Sequence, residues 1–310
     1  MKTRLVLWAI TVLVLVALPP VMTAIGQTFY IDLVRRIMIL AIAAVSLNLI
    51  LGYGGMVSFG HAAYLGIGAY AVGILGFYGV TSGWLQWATA IGASALVALA
   101  IGAVSIRTSG IYFIMITLAF TQMLYYLGIS LEVFGGDDGM RLKSRSQFAG
   151  LVDLGDPIAF YYVALALMLL AVFFVYRLVN SRFGMVLRAA KSNEARARAI
   201  GFSPYPYRLA AFVIAGAMCG LAGALYANHT SYIVPGLMSW QQSGDIMFMV
   251  ILGGMASTAG PVLGTFALLI VEELLKGWTE HWQVILGPLL VLSVIFFRRG
   301  LAGMFYKPDA

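Results

Sequence analysis

From Ile37 to Ile106 the chain contains no Asp, Glu, Lys or Arg. A soluble domain is about 25% charged, and a water-facing surface cannot be built from such a run. A helix needs about 20 apolar residues to cross about 30 Å of hydrocarbon, so the run must hold more than one crossing. Gly, Tyr and polar residues interrupt it around 52–61 and 79–83. Over the whole chain 62% of residues are hydrophobic and 10% charged. The fold class expected is therefore an all-α polytopic membrane protein, forming a single domain over 1–310 in a lipid bilayer.

Ten spans are read from the apolar segments: 5–25, 34–51, 62–80, 84–106, 111–130, 158–180, 206–228, 243–258, 260–277 and 281–298. Met1-Lys2-Thr3-Arg4 before an apolar run resembles a signal peptide. The run reaches to about Ile25, longer than a signal-peptide core of about 7–15 residues, so a retained first helix is expected. Pro19 and Pro20 would kink it. Lys and Arg near span ends collect on the cytoplasmic side. Both termini inside puts thirteen of the nineteen Lys and Arg in the cytosol: Lys2, Arg4, Arg107, seven between 177 and 208, Arg298, Arg299 and Lys307. Arg35, Arg36, Arg141, Lys143, Arg145 and Lys276 fall outside, and the first two fit this bias badly.

Three segments stand out. The first is Leu51-Gly52-Tyr53-Gly54-Gly55-Met56-Val57-Ser58-Phe59-Gly60-His61. Glycine-rich backbone at membrane depth survives only where protein or a watery cavity satisfies it. Broken helices of this kind point half-helix ends at substrates, and small residues also serve plain helix packing. Asn48, Gly54, Gly55, Ser58, His61 and Tyr64 are the candidate path residues. His61 reads either as a hydrogen-bonded structural histidine or as a ligand, and Asn48 and Ser58 either line a polar path or bond a neighbouring helix.

The second segment is a basic island. Arg177, Arg182, Arg188, Lys191, Arg196, Arg198 and Arg208 stand against one acid, Glu194, between two uncharged stretches. Phe183 to Ile200 is rich in helix formers. Gly201 suits a left-handed C-cap, and Pro204 and Pro206 stop further helix. Glu194 to Gly201 is thus expected as a short cytosolic helix within a segment of about 181–205, with the next span starting near Tyr207. A soluble partner could grip it there. A merely solvated loop explains the charge but not the helix–Gly–Pro layout.

The third is the outer loop of about 131–157, with Gly136, Asp137, Asp138 and Gly139 in a run of turn formers. It reads either as a connector or as a gate or docking surface. Elsewhere, Gly216 and Gly220, and Gly260 and Gly264, have the spacing that lets helices approach closely. Asp245, Glu272 and Glu273 lie at span ends and are expected to pair structurally, Lys276 being the available partner.

Several chemistries are excluded. No Lys follows a Gly, so there is no phosphate-binding P-loop. No His or Cys cluster has metal spacing, and His61, His229 and His281 lie in different stretches. Cys219, the single cysteine, rules out an intrachain disulfide and reads as a packing residue. The net charge of +7 clusters beside spans rather than on a soluble face, so no nucleic acid partner is expected. Nothing points to an enzyme.

Leu47 to Tyr64 closely resembles the early signature of LivM-type permeases, the membrane subunits of branched-chain amino acid ABC transporters. Gly135–Met140 resembles that family's outer-loop motif, and Phe183–Gly201 its version of the "EAA" loop. Gly220–Tyr226 and Gly253–Pro261 resemble two further family stretches. The strict Glu-Ala-Ala reads Glu194-Ala195-Arg196 here, and Gly201 comes one residue later than in the common importer spacing, as is usual for this branch. The resemblance implies an ABC importer permease fold in the bacterial inner membrane. It implies a LivH-type second permease, two cytosolic ABC ATPases that bind ATP and Mg, and a periplasmic substrate-binding protein. No cofactor would reside in this chain. The ATPase contact would fall on Arg188, Glu194, Ala195, Arg198 and Gly201. Relatives in this class carry urea, short amides or aromatic acids instead. A stand-alone channel or facilitator is the reading from another class.

Overall fold

The computed structural model describes residues 2–148, 150, 153–296 and 300–305. Arg298, Arg299 and Lys307, used above for orientation, lie outside the described residues. The helices are α1 (Lys2–Ile25), α2 (Phe29–Asn48), α3 (His61–Phe77), α4 (Gly83–Ser105), α5 (Ile111–Ser130), α6 (Pro157–Val179), α7 (Arg182–Ser192), α8 (Glu194–Ala199), α9 (Pro204–Thr230), α10 (Trp240–Gly253), α11 (Gly260–Trp278), α12 (Trp282–Phe296) and α13 (Gly300–Phe305). A helix overlies each apolar segment. Among the described residues, five stretches are long and apolar enough to cross a membrane: Phe29–Tyr53, α4, α5, α6 and α9. The chain is an all-α polytopic membrane protein.

The centre is α2. Every residue from Ile37 to Asn48 is buried, as a helix that is hydrophobic all round must be. It packs on α6, α9, α10 and α11, while α9 packs on α3 and α4. Glycines permit the close approach along α9. A side chain at Gly216 or Gly220 would strike Ala98 or Ser94 of α4, and one at Gly223 would strike the Leu65 carbonyl of α3. Gly253, Gly260 and Gly264 meet in the same way between α10 and α11.

Side-chain bonds define two ends of the bundle. At the first end Arg35 of α2 reaches the Pro157 carbonyl at the start of α6, and His229 at the finish of α9. Arg36 meets Glu272 of α11 there, at 3.7 Å. At the second end Tyr205 of α9 donates to the Ala103 carbonyl of α4 (3.1 Å), and Asn48 bonds the 256–257 turn. α7, α8 and α13 lie at this second end.

Four boundaries depart from expectation. α2 begins at Phe29 rather than 34, taking in Asp32, Arg35 and Arg36. Arg35 is 3% exposed. It is paired with Asp32, bonded to His229 and stacked 4.7 Å over Phe160. A cation so matched needs no watery loop. The island holds two helices, because Asn193 is extended and its side chain caps α8 by accepting from Arg196 N (2.9 Å). Pro204 starts α9 rather than stopping a helix, at the first turn where no N–H is needed. α10 spans Trp240–Gly253 rather than 243–258. α1 runs on through Pro19 and Pro20.

Candidate functional site

The glycine break is an ordered structure. α2 ends in a π-helical turn, Leu49–Tyr53, and the chain then runs irregularly to His61. Its backbone polar groups are satisfied inside the protein, as membrane depth requires. Met56 N–H donates to the Ile50 carbonyl, and Gly60 N–H to Ser58 Oγ (3.1 Å). Phe59 N–H donates to Thr117 Oγ1 (3.3 Å), while Thr121 donates to the Phe59 carbonyl. α3 therefore begins in the interior of the bundle. There Ala62 N–H donates to Ser243 Oγ (3.1 Å), close to where α10 begins. The N-terminal parts of two helices thus meet inside the bundle.

The candidate path residues are tightly enclosed. Asn48, Ser58, His61 and Tyr64 are each 1% exposed or less. Asn48 accepts from Ala256 N–H (3.0 Å) and donates to the Ser257 carbonyl (2.9 Å), tying α2 to the α10–α11 turn. His61 Nε2 lies 2.7 Å from Ser46 Oγ, which donates to the Ala43 carbonyl. That hydroxyl has one proton, so His61 supplies the Nε2–H and turns an unprotonated Nδ1 inward without a hydrogen-bond partner. The Tyr64 hydroxyl also has none. Its ring stands edge-on to His61 and to Phe212. Gly54 is buried, and Gly55 has a φ of +69°, a backbone that favours glycine. A small cleft beside Gly55, Met56, Val57, Thr108, Gly110 and Arg208 opens at the second end.

The basic island is fastened to this break. Lys191 Nζ of α7 donates to the Gly52 carbonyl at 2.6 Å. Its aliphatic stem fills the space where a side chain at Gly55 would lie. Arg188 donates to the Val179 carbonyl at the finish of α6 (3.3 Å). Glu194 is occupied within the chain, bonding Arg198 at 2.5 Å and Arg208 at 2.7 Å. Ala195 and Arg198 are exposed, and Ile200 is 65% exposed beside them. Gly201 has a φ of +91°. Its N–H donates to the Arg198 carbonyl and Phe202 N–H to the Ala197 carbonyl, which together make a Schellman cap. The left-handed cap expected from sequence is present.

At the first end, Gly136, Asp137 and Asp138 form one tight helical turn, followed by Gly139. Met140–Arg141 (β1) then pairs antiparallel with Tyr232–Ile233 (β2), and Tyr232 donates to the Asp138 carbonyl. The loop is thereby stitched to the connection between α9 and α10. Asp137 and Asp138 are exposed.

Residues 29–294 match the family described as "Branched-chain amino acid transport system / permease component". The chain belongs to that family. It is 29% identical to the high-affinity branched-chain amino acid transport permease LivM of Escherichia coli K12, over 96% of this chain and 75% of the relative. A probable LivM of Methanocaldococcus jannaschii is 26% identical, over 86% and 88%. The LivH permease of E. coli K12 is 24% identical, over 85% and 91%. No solved structure matches the chain.

In this family member the path set and the island, read separately from sequence, meet through Lys191 and Gly52. The outer loop stays apart from both. Sequence reasoning missed Lys191, Ser46, Thr117 and Ser243. Lys191 was visible only as one charge among seven. The others are single hydroxyls in apolar helices, and no spacing announces their partners. Glu272 pairs with Lys276 at 2.5 Å as expected. Asp245, expected to pair, has no ion pair among the described residues.

Proposed function

We propose that this chain is the LivM-type membrane subunit of an ATP-driven importer that carries leucine, isoleucine or valine inward across the bacterial inner membrane. It pairs with a LivH-type permease. Two cytosolic ATPases hold the ATP and Mg, and a periplasmic binding protein delivers cargo. The chain crosses ten times, with both termini, α7 and α8 in the cytosol and the 131–157 loop outside. Consecutive long segments linking the two ends alternately support that count. Similarity to both LivM and LivH permeases supports a paired permease.

The observation that carries the powered reading is the Lys191–Gly52 bond. A partner pressing on the exposed face of Ala195, Arg198 and Ile200 would move α8. Glu194 joins α8 to α9, and Arg208 of α9 also bonds the Ala190 carbonyl of α7 (3.2 Å), so the push reaches α7. Lys191 then transmits it to the end of α2 and to the break. Two packings of these elements, biased by nucleotide state, give alternating access. The enclosed His61 and Tyr64 fit a closed packing.

The complex, reconstituted in vesicles, tests this with labelled leucine against urea and an aromatic acid. Leucine should accumulate only with ATP inside the compartment that holds the ATPases. Preference for urea or the aromatic acid would reassign the cargo. Brisk flux through this chain alone, without nucleotide, would make it a channel.

A further inference from the structure

α10 carries an unmatched charge. Gln241, Asp245 and Phe248 are exposed at four- and three-residue spacing, so they share one face. Ser243, Ile246, Met249 and Val250 are buried. Asp245 stands about 12 Å along the helix from Gly253 at the second end, in a core about 30 Å thick. It is therefore near mid-depth, two residues past the Ser243 that meets α3. Other acids are matched: Asp32 with Arg35, Glu194 with Arg198 and Arg208, and Glu272 with Arg36 and Lys276. Asp153 and Asp156 accept main-chain N–H groups. Among the described residues Asp245 has no ion pair and no side-chain hydrogen bond, and α10 contains no Lys or Arg.

An ionised carboxylate facing lipid at this depth is strongly disfavoured, and such groups face a watery cavity or a cation instead. The cation must come from outside this chain. The cargo proposed above is a zwitterion whose ammonium group has that charge and three donors. We infer that Asp245 lines the translocation path and receives the α-ammonium of the passing amino acid, with the Gln241 amide one turn away as a second acceptor. This rests on the amino acid reading, which leucine uptake by the wild-type complex tests by itself.

The experiment uses the full importer in vesicles. Asp245→Cys should react from water with a cationic methanethiosulfonate reagent, and leucine-loaded binding protein with ATP should slow that reaction. Cys219, the chain's only cysteine, is buried and gives the low background. Asp245→Asn should lower leucine uptake about ten- to a hundredfold, the worth of one hydrogen bond to a charged group. Co-purification of the subunits should be unchanged, and Asp245→Glu should keep most uptake. Three results would overturn the assignment. They are an unreactive Asp245→Cys, normal uptake by Asp245→Asn, or loss of the partner permease from Asp245→Asn, which would make this face a subunit contact.

Discussion

The two ends of the bundle are held by different chemistry. At the first end charge meets charge: Asp32 with Arg35, Arg36 with Glu272, and Glu272 with Lys276. At the second end the cations mostly reach main-chain carbonyls: Lys191 to Gly52, Arg188 to Val179, and Arg208 to Ala190. Buried ion pairs have no good substitute once broken. A lysine on a carbonyl beside water exchanges for a water molecule at little cost. The first end is thus built as a fixed collar, and the second as joints that can open and re-form.

Replacing one member of the collar should have the largest effect. Arg35→Met leaves Asp32 and His229 without their partner and should cost about 3–5 kcal/mol. A fall of roughly 10 °C in apparent melting temperature of the purified protein would register it, and an unchanged midpoint would erase the contrast between the ends. Next comes the capped turn. Gly201→Pro cannot adopt a φ of +91° and loses the bond to Arg198, so it should disrupt the cap by about 3 kcal/mol locally. The fold should survive while uptake per ATP hydrolysed collapses, and normal uptake would refute the coupling role.

A smaller change sharpens the same point. Lys191→Met removes one hydrogen bond, worth about 0.5–1.5 kcal/mol. Its melting temperature should barely move, while ATP turnover continues with several-fold less leucine delivered. Lys191→Arg should recover part of that. Equal losses of stability and transport would make Lys191 a plain structural tie. Smallest is Glu194→Gln. Its partner Arg198 is 66% exposed, and such pairs are worth about 0–1 kcal/mol. Melting should hold within 1–2 °C of the parent, and salt should abolish even that difference.

The helices were legible because hydrocarbon enforces length and apolarity, and the ten apolar segments each became helical. Gly201 was legible because only a left-handed cap explains a glycine between a helix and two prolines. The glycine spacings of α9 were legible for a similar reason: small residues have few uses inside a bundle. Arg35 was misread because a charge rule assumes loops, whereas this guanidinium is matched within the protein. Asn193 was passed over because good helix formers on both sides masked a side chain that caps α8. Asp245 was expected to pair because Lys276 lies near in sequence terms, but Glu272 takes that lysine. Contacts between distant segments, such as Lys191 with Gly52, leave no local trace in composition or period.

The wide turn at Leu49–Tyr53 has a consequence for insertions and deletions. It holds one residue more than an α-helical repeat of the same height, and one residue is about 100° of rotation. Removing Ile50 would regularise the helix and swing everything after it a quarter-turn out of phase. The Gly52 carbonyl would then look away from its lysine, although no chemical group at that joint had been altered. Spacing along the chain is therefore part of the mechanism's specification here, as much as side-chain identity.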